Sequence, residues 1–302
     1  MKICMWLAGP DITLGKRALS VLRRLYGEAE VVGVTGKKPY AVDLRKEGYG
    51  GGFMDMAEAE SKNPDAILMT GNPYWPFGYS ARDVRTPKGD RPSCKVLLDR
   101  IVCMPGFTVE KYEQLKASRL SILSMNGFGW ILHCQLDIPI LTPCTNMFFE
   151  YYEQWLDFLE SPREYMGEPL QFLRMQYNKA GKLIFPRYKL KNVEIGMDHY
   201  ADFDLAEQEW YERIGLVNWE NIFAVMYTDR RDILERFDKL PYKKKACFVS
   251  FETDLESGYY LDLGKTGLPL WDAVNRLGYG WKDMWYYDFF DMLLEGKKTP
   301  LR

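Results

Sequence analysis

His199, one of only two histidines in the chain, follows the apolar run VEIGM and stands between Asp198 and Tyr200. A strand-end histidine with a carboxylate beside it is the arrangement of a general base or a sugar-hydroxyl binder. Imidazole changes charge near neutral pH, and the carboxylate fixes its orientation. The acidic stretch that follows, ADFDLAEQEW, has a simpler reading. Asp204 reads as an N-cap with Glu207 three residues on, so helix initiation accounts for Asp202, Asp204 and Glu207. Glu209 and Arg213 are four apart and are expected to form a surface pair worth about 0.3–0.5 kcal/mol. What remains is Asp198 and His199 as catalytic candidates, with Tyr200, Asn218 and Asn221 as substrate contacts. The competing reading is plain: a lone histidine is slightly more often structural.

A second group lies in SMNGFGWILHCQLDIPILTPCTNMFF. Here a strand delivers Ser124 and Asn126 into a turn whose Gly127 and Gly129 allow a ligand close to the backbone. In open α/β sheets ligands bind at the carboxyl ends of strands. Ser124, Asn126 and Asn146 are therefore substrate-binding candidates, although Asn126 and Asn146 also suit a turn and a helix cap. His133, among Ile131, Leu132 and Cys134, reads as a satisfied core histidine. Glu252 and Asp254 follow the run ACFVSF, where Glu252 joins the substrate-binding set and a polar loop is the simpler account. Lys243, Lys244 and Lys245 read as a solvated loop that guards the next strand against aggregation.

The elements that must carry these residues alternate. ICMWLA, EVVGVT and DAILMT read as strands separated by helical segments, the βαβαβ pattern of a Rossmann-like sheet. Its first turn, AGPDITLG, keeps Gly9 and Gly15 but has Pro10 and Asp11 where a pyrophosphate needs glycine and no negative charge. A dinucleotide is not expected there. The loop from Gly71 to Pro92 is long and rich in Pro, Gly and Arg. It marks the boundary between a Rossmann-like domain, 1–92, and a larger α/β domain with C-terminal helices, 93–302. Strands are expected at LSILSM, 183–185, 193–197, 222–227 and 246–251. Helices are expected at 108–119, 205–214, 229–240, 270–277 and 283–294.

Composition limits the function further. A net charge of -2 gives no basic surplus for nucleic acid. Six cysteines without a CxxC pair, and two histidines, do not suggest a metal site or a disulfide framework. No run approaches the roughly 18 apolar residues of a membrane span. The start, MKICMWLAGPD, reads as a first strand rather than a leader, so a cytoplasmic location is expected. Aromatic residues make up 15% of the chain, enough to supply sugar-stacking faces as well as a core.

Taken together, these segments resemble a bacterial family of unknown function associated with exopolysaccharide or capsule biosynthesis. The likeness runs over roughly 108–255. It lies in the order of the Ser124-x-Asn126 turn, the Ile-Pro and Thr-Pro elements, the His199-Tyr200 segment, Asn218-x-x-Asn221-Ile222, and LPYKKKACFVS. The family turn usually has Cys after the Asn, where this chain has Gly127. Paired arginines are common where Glu212 and Arg213 stand, and a further basic residue where Leu216 stands. The resemblance implies a two-domain α/β protein of surface-polysaccharide assembly and no particular reaction. The expected function is a sugar-directed transferase taking a sugar or nucleotide-sugar, with no cofactor assigned. The alternatives are a non-catalytic carbohydrate-binding or assembly protein and, more weakly, a Rossmann oxidoreductase.

Overall fold

The computed structural model describes residues 2–7, 30–36, 61, 66–70, 106, 108–136, 138–145, 147–177, 181, 183–197, 200, 203–265, 267–278 and 287–300. The chain divides into two compact units, residues 1–109 with 134–137 and residues 110–133 with 138–302.

In the first unit, short runs rich in branched apolar residues form β1 (Lys2–Leu7), β2 (Glu30–Gly36) and β3 (Ala66–Thr70). They pair in parallel in the order β2-β1-β3. Parallel neighbours need long crossovers, and the stretches of sequence between these strands are long enough for them.

The second unit is built on two sheets. β4 (Ser121–Ser124), β9 (Ile222–Thr228), β10 (Lys244–Val249) and β11 (Gly258–Tyr260) make a parallel sheet in the order β11-β10-β9-β4. β5 (Phe148–Phe149), β6 (Gln171–Tyr177), β7 (Leu183–Leu190) and β8 (Val193–Gly196) make an antiparallel sheet in the order β5-β8-β7-β6. The helices are α1 (Val109–Ala117), α2 (Phe128–Leu136), α3 (Tyr152–Glu160), α4 (Pro162–Gly167), α5 (Phe203–Ile214), α6 (Arg231–Asp238), α7 (Leu270–Gly278) and α8 (Phe289–Glu295).

The parallel strands are apolar on both faces because both faces are covered. Leu123, Met125, Ala224, Met226, Cys247 and Val249 alternate along three strands and share one core with Trp155, Leu156 and Leu159 of α3 and Ile233, Leu234 and Phe237 of α6. Phe248 points the other way and meets Phe128 of α2 edge-on at 5.4 Å. The antiparallel sheet joins the first of these cores through Phe149, Tyr188, Leu190, Val193 and Ile195. Removing one fully buried side chain here, as in Leu156→Ala, costs about 2–5 kcal/mol.

Several expectations need correcting. Lys244 and Lys245 are not a solvated loop but the start of β10, and both are half-buried. Lys244 Nζ donates to Asn221 Oδ1 at 2.7 Å, and Lys245 Nζ donates to the Leu240 carbonyl at 2.6 Å and to that of Asp238. Lys245 thus satisfies carbonyls at and just past the C-terminus of α6, which closes at Asp238 rather than running to Leu240. α5 begins at Phe203, which puts Asp204 inside its first turn instead of at the cap. β7 continues through Pro186, because its pairing with β8 starts only at Arg187 and the Pro186 carbonyl still accepts the Met197 N–H at 3.0 Å.

Candidate functional site

The turn between β4 and α2 is built by its own side chains. Ser124 Oγ, fully buried, donates to the Asn126 carbonyl (2.8 Å) and accepts the Gly129 N–H (3.1 Å). Asn126 Oδ1 accepts the Phe128 N–H (3.1 Å), and its Nδ2 donates to Asn275 Oδ1 on α7 (3.3 Å). A Cβ on Gly129 would stand 2.8 Å from Ser124 Cβ, so the glycine lets α2 press against β4. At Gly127 the corresponding position meets nothing within 4 Å among the described residues. The first two amides of α2 already serve Asn126 and Ser124, so an anion has little left to bind at this helix start.

β9 ends beside this turn. Ser124 is in register with Val225, so Asn126 and Tyr227 each lie two residues further towards the same edge. The Tyr227 ring meets that of Tyr152, at the start of α3, edge-on at 5.9 Å. Burial first, then the neighbouring Asp229 carboxylate and Tyr227, push the Tyr152 phenol up to about 12. Burial and Asp229 raise Tyr227 too. Asp229 is exposed, and among the described residues no lysine or arginine pairs with it. The adjacent arginines turn elsewhere. Arg230 pairs with Glu153 and Asp232, while Arg231 lies over the Phe251 ring (5.2 Å) and donates to the Glu252 carbonyl (3.3 Å). Glu252 is exposed just past the end of β10, on this same edge.

The end of β8 reaches the neighbourhood through β5. Phe148 pairs with Gly196, and the Phe149 N–H donates to the Met125 carbonyl at 3.1 Å. Asp198, His199 and Asn146 lie outside the described residues. Tyr200 is described and buried. Its hydroxyl donates to Glu209 and accepts from Arg213 Nη1 (3.1 Å), while Arg213 and Glu209 form an ion pair. The expected surface pair is therefore part of a partly buried network that holds Tyr200, and the Tyr200 hydroxyl is engaged by α5.

Asn218 and Asn221 are elsewhere. They precede β9 and sit at the amino end of the parallel sheet, opposite the edge that carries Asn126. Asn218 Nδ2 donates to the Arg119 carbonyl (3.0 Å), and Asn221 Nδ2 donates to that of Ser118 (2.7 Å). Ser121 Oγ accepts the Asn218 N–H at 2.8 Å, completing a polar clasp between β4 and the loop before β9. The structure therefore does not bring Asn218 and Asn221 together with Ser124, Asn126 and Glu252.

Sequence reading missed Tyr152, Tyr227 and Asp229. The available signal was position: Tyr227 and Asp229 stand at the end of an apolar run, but Tyr152 reaches them only through tertiary packing. His133 is buried as expected but only half satisfied. Its Nδ1 lies 3.3 Å from the Ile138 carbonyl, and its Nε2 has no partner among the described residues. Burial first, with Arg213 contributing, lowers it to about 4. Among the described residues no three metal-ligating side chains gather, and no helix is long and apolar enough to cross a membrane.

A family model described as "Domain of unknown function (DUF1919)" matches residues 100–294. An uncharacterized protein of Haemophilus influenzae is 28% identical over 183 residues, which is 57% of this chain and 81% of that protein.

Proposed function

We propose that this chain, which belongs to the DUF1919 family of unknown function, takes a sugar or nucleotide-sugar at the carboxyl edge of its four-stranded parallel sheet and acts on it as a transferase of surface-polysaccharide assembly. The observation that carries this reading is the turn from Ser124 to Gly129. It is internally braced, unobstructed at Gly127 by any described residue, and placed at the strand ends where α/β sheets bind ligands. Asn126 positions the ligand, and Glu252 offers a carboxylate from the same edge. His199, oriented by Asp198, is assigned the proton transfer on sequence grounds, as Asn146 is assigned a ligand contact. The β2-β1-β3 unit is read as a Rossmann-like domain ending near residue 92, and the location as cytoplasmic.

The test is a panel of uridine- and guanosine-diphosphate sugars, followed by thermal shift and calorimetry on the full chain. A ligand at 100 times its dissociation constant stabilises by about 2.7 kcal/mol. Binding by one member, weakened at least tenfold in Asn126→Ala, supports the reading. No shift with any member defeats it. A second reading, a non-catalytic carbohydrate-binding protein, is favoured by the two engaged amides of α2, which leave a diphosphate few donors there. His199→Ala separates the two: it abolishes turnover in the first reading and has no turnover to abolish in the second.

A further inference from the structure

We propose that Tyr152, Tyr227 and Asp229 form a subsite for a neutral, hydroxyl-rich sugar ring, adjoining the Asn126 turn. The proposal rests on the sugar reading above and deepens it by naming where the uncharged ring sits. The two tyrosines come from different elements, the start of α3 and the end of β9, and their rings are edge-on at 88°. Each is half-buried, so each keeps part of its surface towards solvent. Beyond them, Tyr151 is 57% exposed and Phe251 is held beneath Arg231. Aromatic surface beside a carboxylate suits a pyranose: its C–H face packs on rings while neighbouring hydroxyls donate to the carboxylate.

The charge pattern points to the same class of ligand. Asp229 is followed by two arginines, either of which could have neutralised it, yet both are engaged with other groups. The carboxylate neighbours the Tyr152 phenol instead. A carboxylate beside a phenol, with no cation of the described residues paired to it, matches a polyol, which offers both donors and acceptors. A phosphate would meet the Asp229 charge and be repelled, since Arg230 is taken up by Glu153 and Asp232. Asn126, at the same edge as Tyr227, would then reach the next group of the ligand.

The experiment is saturation-transfer NMR on the full chain with the methyl glycosides of glucose, galactose, mannose and N-acetylglucosamine, at neutral pH. Wild type, Asp229→Asn, Tyr152→Phe and, as a remote control, Glu235→Gln are compared. Tm is measured for all four to confirm folding. We expect transfer to at least one glycoside, retained in the control and reduced at least fivefold in both site variants. No transfer to any glycoside overturns the subsite, and so does transfer undiminished from wild type in Asp229→Asn and Tyr152→Phe. The two ideas fail separately. Asn126-dependent binding of a nucleotide-sugar without glycoside binding keeps the functional reading and overturns the subsite. Asp229-dependent glycoside binding without nucleotide-sugar binding does the reverse.

Discussion

At the amino end of the parallel sheet, Asn221 uses both halves of its amide, donating to the Ser118 carbonyl and accepting from Lys244. At the carboxyl end, Asp229 is exposed and faces a tyrosine, with no cation paired to it among the described residues. The two ends are equally polar in sequence, and what separates them is saturation. A polar group whose partners are all its own chain's stabilises the fold, whereas one whose capacity is unspent at a strand's carboxyl end is available to a ligand. Asn126 lies between these cases: it caps α2 and bonds Asn275, yet it adjoins Gly127, which no described residue obstructs.

Four measurements test this contrast. The largest effect is expected at the opposite end of α2 from its Asn126 cap. His133 is held at about 4 in the fold against 6.5 in the free side chain. The unfolded chain therefore takes up the proton first, and stability falls as pH drops from 6.5 towards 4. This one group accounts for about 3 kcal/mol of that loss. Denaturant unfolding of wild type and His133→Gln across this range checks it, since the variant loses that share of the pH dependence.

Next is Gly129→Val. Its Cβ would collide with Ser124 and separate α2 from β4. A destabilisation of about 1–3 kcal/mol is expected from overpacking, read by the shift in urea midpoint. An unchanged midpoint would mean that the helix start is not pressed against the strand.

Asn221→Ala at the amino end comes third. It leaves the Ser118 carbonyl and the half-buried Lys244 ammonium without their partner. The expected cost is about 1–3 kcal/mol, with sugar binding unchanged. If binding falls while stability holds, the division between the two ends is wrong. Smallest in stability are Asp229→Asn and Glu252→Gln, each expected within about 0.5 kcal/mol of wild type because both are exposed and neither carboxylate is in an ion pair among the described residues. Their signature is in ligand binding instead.

Much of the fold was legible along the chain. ICMWL, IFAVMYT and KKACFV contain unbroken apolar stretches of strand length, from which β1, β9 and β10 are legible, and the last two are buried along most of their length. α3, α6 and α7 carry apolar stripes at helical spacing. β6 was not legible: QFLRMQY does not alternate, and it is a strand because β7 pairs with it. β11 has three residues, too few for any pattern, and exists because β10 templates it. Of the candidate site, the strand-end positions of Asn126 and Glu252 were correctly read. The sorting of Asn218 and Asn221 to the far end was not, because an asparagine before a strand and one after a strand look alike until strand direction and sheet order are known.

What the sequence alone determined was local: which runs are strands, which stripes are helices, and that Ser124 and Asn126 lie in a glycine turn. Each depends on residues within a few positions of one another, where backbone preference and side-chain periodicity act. The tertiary structure decided which ends meet and which polar groups are spent. Asn218 and Ser121 are 97 positions apart and Asn126 and Asn275 are 149 apart. The Tyr152–Tyr227 contact likewise joins a helix start to a distant strand end. Such pairs form only once the order β11-β10-β9-β4 is set, because chain distance carries no information about which strands become neighbours.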